Sequence, residues 1–287
     1  MNMFCYHLPC SMDEAVALRA QFGNSCVAVA GGTDIVPALH ERQVCPEHVM
    51  DISKISEFKG ISVQDGYLKI GSLTTFTELQ NEPLICQYAQ ALYEAACSVG
   101  SPQIRNLGTL GGNIANASVA ADSIAPLMSL DAELTLVSML GLRNMAVCDF
   151  FAGERATALR EHELIRDIRI PCSKMAQAST YVKLAKRKAL AIVVLGLAIM
   201  LRCDDDGICT DARVVLGAVS RFPRRIINAE QMLIGQPVGE KAFDACIPVL
   251  SETVKQLIPN RASVGYKSES VRGAAKQAFN QIISALL

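Results

Sequence analysis

The sequence predicts an α+β protein, in which helices and strands are mixed without a long βαβ series. Three observations support this class. Hydrophobic residues make up 51% of the 287 residues and charged residues 19%, as in a compact globular chain. Short apolar runs bounded by glycine or proline indicate buried strands. Capping signals ahead of Ala-rich runs indicate helices, and the length allows two modest domains with separate cores.

The first element is a helix over about residues 12–22, because Ser11 to Glu14 has the form of a capping box and Gly23 is a stop signal. Asp65-Gly66 is the expected two-residue turn of a hairpin over Ile61 to Ile70. The other elements predicted in this part are strands at 26–30 and 49–52, a short helix at 35–43, and helices at 76–81 and about 88–99.

The segment from Gly100 to Asn113 contains four glycines and a proline, which leaves almost no room for a regular element. After it, strands are predicted at 134–137 and 164–170. Residues 172–179 are small and polar and predict a domain boundary. The elements predicted beyond the boundary are strands at 180–185, 190–201 and 212–219, a turn at Asp206-Gly207, and helices at about 239–258 and 268–286.

Composition excludes several functional classes. The net charge of −1 gives no reason to expect nucleic acid or an acidic membrane surface. The longest apolar stretch, Ala189 to Leu201, would span roughly 20 Å as a helix, short of the ~30 Å bilayer core. The 11 cysteines are odd in number and contain no Cys-x-x-Cys. With no signal peptide at the N-terminus, they predict free thiols in the cytoplasm and no metal site.

A glycine doublet follows the second predicted element, in Ala30-Gly31-Gly32-Thr33-Asp34. Paired glycines let backbone N–H groups converge on one point, which suits phosphate oxygens. The spacing matches neither the Rossmann nor the P-loop fingerprint. Taken alone, this segment is more typical of a simple turn than of a phosphate cradle.

A second doublet lies in Thr109-Leu110-Gly111-Gly112-Asn113, and Asp122 follows nine residues later. This loop could face the other side of a pyrophosphate, with Asp122 accepting hydrogen bonds from sugar hydroxyls. The alternative for Asp122 is an N-cap for a helix over about 123–129. No nucleophile–base arrangement and no Gly-x-Ser-x-Gly is present, so any chemistry here belongs to a cofactor.

The two loops, Asp122 and the segment Tyr181 to Lys188 resemble the FAD-binding subunits of the molybdenum hydroxylases, which include xanthine, carbon monoxide and nicotinate dehydrogenases. The segments Tyr181 to Lys188 and Tyr266 to Val271 are most similar to the nicotinate dehydrogenase branch. The resemblance implies the vanillyl-alcohol-oxidase (PCMH) type of FAD-binding fold. It implies an FAD-binding domain over 1–174, with subdomains of about 1–55 and 56–174, and a C-terminal α+β domain over 178–287.

The resemblance also implies site residues. The first loop would wrap the pyrophosphate, the second would hold it from the other subdomain, and Asp122 would bind sugar hydroxyls. Ile165 would contact the adenine end, where the alternative is plain strand core. Lys183 would lie near the isoalloxazine, although an exposed lysine is commonly just solvated, and Gly100 would allow close approach to the ring. The two loops comprise Val27, Ala28, Val29, Ala30, Gly31, Gly32, Thr33, Asp34, Thr109, Leu110, Gly111, Gly112 and Asn113.

The implied role is electron transfer within a hetero-oligomeric oxidoreductase. Molybdopterin and 2Fe–2S clusters would belong to partner subunits, and FAD in this chain would pass electrons to NAD(P)⁺ or another acceptor. Ala191 stands where several relatives carry an acid, which leaves the acceptor open. Two alternatives remain: a stand-alone FAD oxidoreductase of the same fold, for which no catalytic serine, glutamate or substrate arginine can be placed, and a flavin-free structural subunit.

Overall fold

The computed structural model describes residues 4–172, 176–187 and 190–286. It confirms the α+β class, with three main sheets in chain order. The first sheet is parallel, with strand order β1-β3-β2. Its elements are β1 (Cys5–His7), α1 (Met12–Phe22), β2 (Cys26–Val29), α2 (Ile35–His40) and β3 (His48–Asp51).

The first helix shows why its sequence signal was reliable. The Ser11 hydroxyl accepts a hydrogen bond from the Glu14 amide at 3.2 Å. The Glu14 carboxylate accepts one from the Cys10 amide at 2.8 Å, one residue earlier than a standard capping box requires. Gly23 ends the helix with φ of +48°, a conformation that glycine adopts without strain.

The second sheet is antiparallel, with strand order β4-β5-β10-β6-β7. Its strands are β4 (Ile61–Gln64), β5 (Tyr67–Gly71), β6 (Glu133–Ser138), β7 (Gly141–Ala146) and β10 (Leu164–Pro171). The turn at Asp65-Gly66 has positive φ at both residues, 53° and 78°, as a type I′ hairpin requires. The edge strand β7 was not predicted, because its residues are partly exposed and do not alternate cleanly.

Seven helices and a small hairpin separate the strands of the second sheet in the described chain. The helix expected over about 88–99 is confirmed as the second of two consecutive helices, which are separated at Ala89. One prediction was wrong here. The glycine-rich segment expected to be irregular holds two short helices, each with a side-chain cap. The elements are α3 (Phe76–Asn81), α4 (Pro83–Tyr88), α5 (Gln90–Ser98), α6 (Pro102–Leu107), α7 (Leu110–Asn116), α8 (Ile124–Ser129), α9 (Val147–Phe150), β8 (Phe151–Gly153) and β9 (Ala156–Thr157).

The third sheet is an antiparallel meander, with order β11-β12-β13-β14, followed by three helices. Part of the predicted boundary at 172–179 lies outside the described residues, and its last residues already belong to β11. The strands near 180, 193 and 212 and the two long helices are confirmed. The elements are β11 (Ala176–Ala185), β12 (Val193–Cys203), β13 (Cys209–Gly217), β14 (Arg224–Arg225), α10 (Ile227–Leu233), α11 (Glu240–Leu257) and α12 (Val264–Leu286).

Alternation along the third sheet divides its side chains between two cores. Tyr181, Ala198 and Met200 face the core that contains the helices between β5 and β6. Val182, Leu197 and Ile199 face the core formed with α11 and α12. The third sheet is therefore packed against the rest of the chain on one face. In the described ranges, no helix combines the length and the apolar character needed to cross a membrane.

Candidate functional site

The two glycine doublets come together, although more than 70 residues separate them. A Cβ on Gly31 would lie 1.7 Å from the carbonyl oxygen of Leu107, so only glycine fits this backbone-to-backbone contact. A Cβ on Gly108 would lie 3.6 Å from the Thr33 hydroxyl. The first loop therefore packs directly on the chain that leads into the second loop.

A cleft of about 720 Å³ runs between the loops, a volume that suits a small organic cofactor. Residues of β2 line one wall. This strand is at the edge of its sheet, so one side of its backbone is unpaired within that sheet. The lining also includes residues of α7 and the start of β10, with Ile165 among them.

The first loop presents unpaired amide groups. Among the described residues, no protein acceptor receives the backbone N–H of Gly31, Gly32, Thr33 or Asp34. The Asp34 side chain makes no capping bond to α2, which begins at Ile35. Gly32 has φ of +72°, in the left-handed region. Consecutive amides in such a turn form a concave group of donors that suits an anion.

The second loop uses its amides to hold itself in place. The Leu110 amide donates to Thr74 O at 2.9 Å, and the Gly111 amide donates to Ser72 O at 2.8 Å. The Gly112 amide donates to the Thr109 hydroxyl at 3.1 Å, which caps α7. A Cβ on Gly111 would lie 2.5 Å from Ser72 Cβ. The second doublet therefore allows close packing against the end of β5, rather than freeing its amides.

Asp122 lies in a buried polar cluster that joins the N-terminal part of the chain to the third sheet. Its Oδ2 accepts a hydrogen bond from Lys183 Nζ at 2.7 Å, and its Oδ1 accepts one from the Tyr181 hydroxyl at 2.9 Å. Lys183 Nζ also donates to Ser98 O at 3.0 Å. The alternative of a helix N-cap is wrong, because Ser123 occupies that position in α8 and no side chain caps the helix.

Burial and charge oppose each other in this cluster. Burial raises the pKa of Asp122, while the ion pair with Lys183 and the Tyr181 hydroxyl lower it in part. Burial, followed by the negative charge of Asp122, raises the pKa of Tyr181 well above its ordinary value, so Tyr181 remains a hydrogen-bond donor. Gly196 makes room for this ring, since a Cβ there would lie 2.7 Å from the Tyr181 oxygen.

A second cavity of about 830 Å³ lies beside Gly100 and Lys183. The cleft and this cavity are lined by consecutive residues, because Val99 lines the cleft and Gly100 lines the cavity. Its described lining contains four basic residues and no acid. The basic residues are Arg105, Lys183, Lys186 and Arg187.

Twelve of the seventeen predicted site residues line the cleft, and Gly100 and Lys183 line the second cavity. Val29, Leu110 and Asp122 line neither: Leu110 is core, and Asp122 lies behind Lys183. Sequence reasoning missed other cleft residues, because no local motif marks them. They include Arg19, Glu41, Arg155, Leu159 and Glu163.

Comparison with known proteins gives a family for this fold and cleft. The sequence model described as the FAD binding domain in molybdopterin dehydrogenase matches residues 2–173. The model described as the CO dehydrogenase flavoprotein C-terminal domain matches residues 180–282. The chain belongs to the family of FAD-binding subunits of the molybdenum hydroxylases, which are oxidoreductases.

Individual relatives agree with this assignment over nearly their whole length. The chain is 41% identical over 290 residues to the nicotinate dehydrogenase FAD-subunit of Eubacterium barkeri, covering 100% of this chain and 98% of that protein. It is 31% identical to the putative xanthine dehydrogenase FAD-binding subunit of Escherichia coli K12, covering 98% and 96%. A structure of carbon monoxide dehydrogenase from Hydrogenophaga pseudoflava superimposes with a TM-score of 0.91 at 29% identity, covering 99% and 98%.

The residues present fit FAD. The unpaired amides of the first loop match the hydrogen-bonding needs of phosphate oxygens. Leu164 and Ile165 add apolar surface to the cleft, while the Thr33 and Asn113 side chains add polar groups. A cofactor site of this kind combines a mainly apolar lining with a few placed polar groups.

Proposed function

We propose that this chain is the electron-transfer subunit of a molybdopterin-dependent hydroxylase of N-heterocycles, of the nicotinate or xanthine type. The chain would receive electrons from 2Fe–2S clusters of a partner subunit and pass them to NAD(P)⁺ or another acceptor. FAD, when bound, supplies the conversion between single-electron and hydride transfer. The full-length identity of 41% to a nicotinate dehydrogenase FAD-subunit is the observation that carries this proposal.

Within this proposal, the chain holds the cofactor with two kinds of surface. The first loop supplies backbone donors to the pyrophosphate, and the second loop supplies a rigid wall with Thr109 and Asn113. Asp122 lines neither the cleft nor the second cavity, so it would act on the cofactor through Lys183, which it fixes at the flavin end. The FAD-binding domain would span 1–174 and the C-terminal domain 178–287. The eleven free thiols support a reducing, cytoplasmic location.

The second cavity supports an anionic electron acceptor. Asp122 neutralises Lys183. Arg105, Lys186 and Arg187 have no paired acid among the described residues, and Arg105 and Arg187 keep their charge while they donate to the backbone carbonyls of Val99 and Leu190. Such a lining attracts an anion and raises its association rate. The pyrophosphate of NAD⁺, with or without the additional phosphate of NADP⁺, has the charge that this cavity lacks.

The test is affinity purification of the chain from its own cells, followed by identification of flavin, iron and molybdenum. We expect about one FAD per chain, with iron and molybdenum in co-purifying subunits. The chain alone should contain FAD and no iron. A chain that binds no FAD, even when FAD is added, would establish the flavin-free structural subunit. A chain that turns over a substrate without partners would establish the stand-alone oxidoreductase.

The acceptor is tested in the purified complex with Lys186→Gln and Arg187→Gln. We expect each to raise the KM for NAD(P)⁺ without lowering FAD content, and the effect to shrink at high salt. Arg221→Gln is the matched control, since Arg221 is exposed and lines neither the cleft nor the second cavity. An unchanged KM in both cavity variants would contradict an anionic acceptor at this site.

A further inference from the structure

Arg155 lies at the tip of the hairpin formed by β8 and β9, and it lines the cleft. Its φ is +53°, a strained conformation for a residue with a side chain. Its amide donates to Ala117 O at 3.2 Å. Ala117 is itself left-handed, with φ of 47°, and ends α7. Two strained residues therefore fix the hairpin to the helix that begins at the second glycine doublet.

A free cation in the cleft lining would attract a pyrophosphate in addition to the unpaired amides. Its charged residues are two arginines and three acids: Arg19, Arg155, Asp34, Glu41 and Glu163. Arg19 is committed to backbone carbonyls, with a hydrogen bond to Gly23 O at 2.8 Å and another to Cys26 O. The Arg155 guanidinium has no carboxylate within 4.0 Å in the part of the chain that the structure describes. It is therefore the available cation in this lining.

The position of Arg155 along the cleft points to one half of the cofactor. The seven residues of α7 span about 10 Å, with the glycine doublet at one end and the contact to Arg155 at the other. Leu159 and Ile165, from the same stretch of chain, also line the cleft. Arg155 therefore contacts the end of α7 that lies away from the doublet. It is not among the residues of the second cavity, where the proposed function places the flavin.

We propose that Arg155 binds the adenosine monophosphate half of FAD through its positive charge, and that it thereby makes the chain select FAD over FMN. This inference rests on the proposed function, because it assumes that the cleft is the FAD site. The hydrogen bond to Ala117 fixes the backbone of Arg155, while its side chain remains free to meet the ligand. A charged hydrogen bond of this kind contributes more to binding than a neutral one does.

The test uses the full-length chain stripped of flavin and titrated with FAD and with FMN. Arg155→Asn removes the charge and keeps a residue that tolerates the left-handed backbone. We expect its affinity for FAD to fall about tenfold to a hundredfold, with FMN affinity unchanged. We also expect AMP to compete with FAD in the wild type and less in the variant. Arg155→Lys should recover part of the FAD affinity, and Arg221→Asn is the control for loss of a distant charge.

The outcomes separate this proposal from the one on which it rests. FAD affinity that is unchanged in Arg155→Asn would overturn the proposal, and so would an equal loss for FAD and FMN. Failure of Arg155→Lys to recover any affinity would overturn the role of charge. A wild-type chain that binds no FAD would instead refute the proposed function, independently of Arg155. Thermal melting of each apo variant distinguishes weak binding from loss of the fold.

Discussion

The two glycine doublets read almost identically in sequence, yet they are built in opposite ways. The first, Gly31-Gly32, leaves a run of amides without protein acceptors. In the second doublet, the Gly111 amide donates to Ser72 O and the Gly112 amide donates to the Thr109 hydroxyl. One loop is therefore arranged to receive an anion and the other to be a rigid wall. The glycine pair alone does not predict the role of a loop, because that role depends on whether neighbouring acceptors bind the backbone amides of the loop.

Both loops nevertheless depend on glycine for a close backbone contact, and Gly31 has the closer one. Gly31→Ala should have the largest effect, because its Cβ would lie 1.7 Å from the Leu107 carbonyl oxygen. We expect the free energy of unfolding to fall by more than ~4 kcal/mol, measured by urea denaturation of the apo chain. Gly60→Ala is a control, since a Cβ there meets nothing within 4 Å and only the positive φ is strained. Equal losses in both variants would show that the contact with Leu107 is unimportant.

The rigid wall continues beyond the second loop into the third sheet. The Asn113 side chain accepts a hydrogen bond from the Ser123 hydroxyl at 2.6 Å, next to Asp122 and its pair with Lys183. Lys183→Met would leave the buried carboxylate without its cation, and we expect a loss of about 3 kcal/mol in stability. The double variant with Asp122→Asn should regain much of it, because it buries no unpaired charge. If the double variant is no more stable than the single one, the pair has no such role.

A sharper comparison comes from two variants with similar expected costs in stability. Thr109→Ala removes the cap of α7, and Gly32→Ala places a side chain at φ of +72°. Each should destabilise the chain by about 1 kcal/mol. We expect FAD affinity to fall about tenfold in Gly32→Ala, whose loop carries the unpaired amides, and little in Thr109→Ala. Isothermal titration with FAD measures the difference, and the reverse order would show that the second loop is the phosphate-binding one.

Much of the fold could be predicted because its signals are local. The cap at Ser11 and the turn at Asp65-Gly66 each specify a structure within four residues. The helices α6 and α7 had local signals too, since Ser101 and Thr109 cap them, but the count of glycines outweighed those signals in the prediction. The break between the helices α4 and α5 at Ala89 is not marked by a side-chain cap.

The site was harder to predict because several of its residues meet only through tertiary structure. The doublets were visible as unusual spacing. Tyr181 and Gly196 could not be connected with Asp122, because their proximity depends on the register of β11 against β12, where Lys183 pairs with Gly196. No sequence motif marks Arg155. Its proposed role follows only from its contact with Ala117 and its place in the cleft lining.

The smallest effect at neutral pH concerns Glu163, which lines the cleft. Burial would raise its pKa, but hydrogen bonds from Arg143 and the Arg160 amide outweigh burial and hold the pKa below its ordinary value. A carboxyl with a lowered pKa stabilises the fold above its unfolded pKa, and that stability is lost as the pH falls. The wild type should therefore lose stability more steeply than Glu163→Gln below about pH 4.3.

Urea denaturation across pH 3 to 7 measures this loss of stability, and Glu154→Gln, at an exposed position, is the control. If the slopes of wild type and Glu163→Gln are parallel, the charge of Glu163 does not stabilise this part of the cleft.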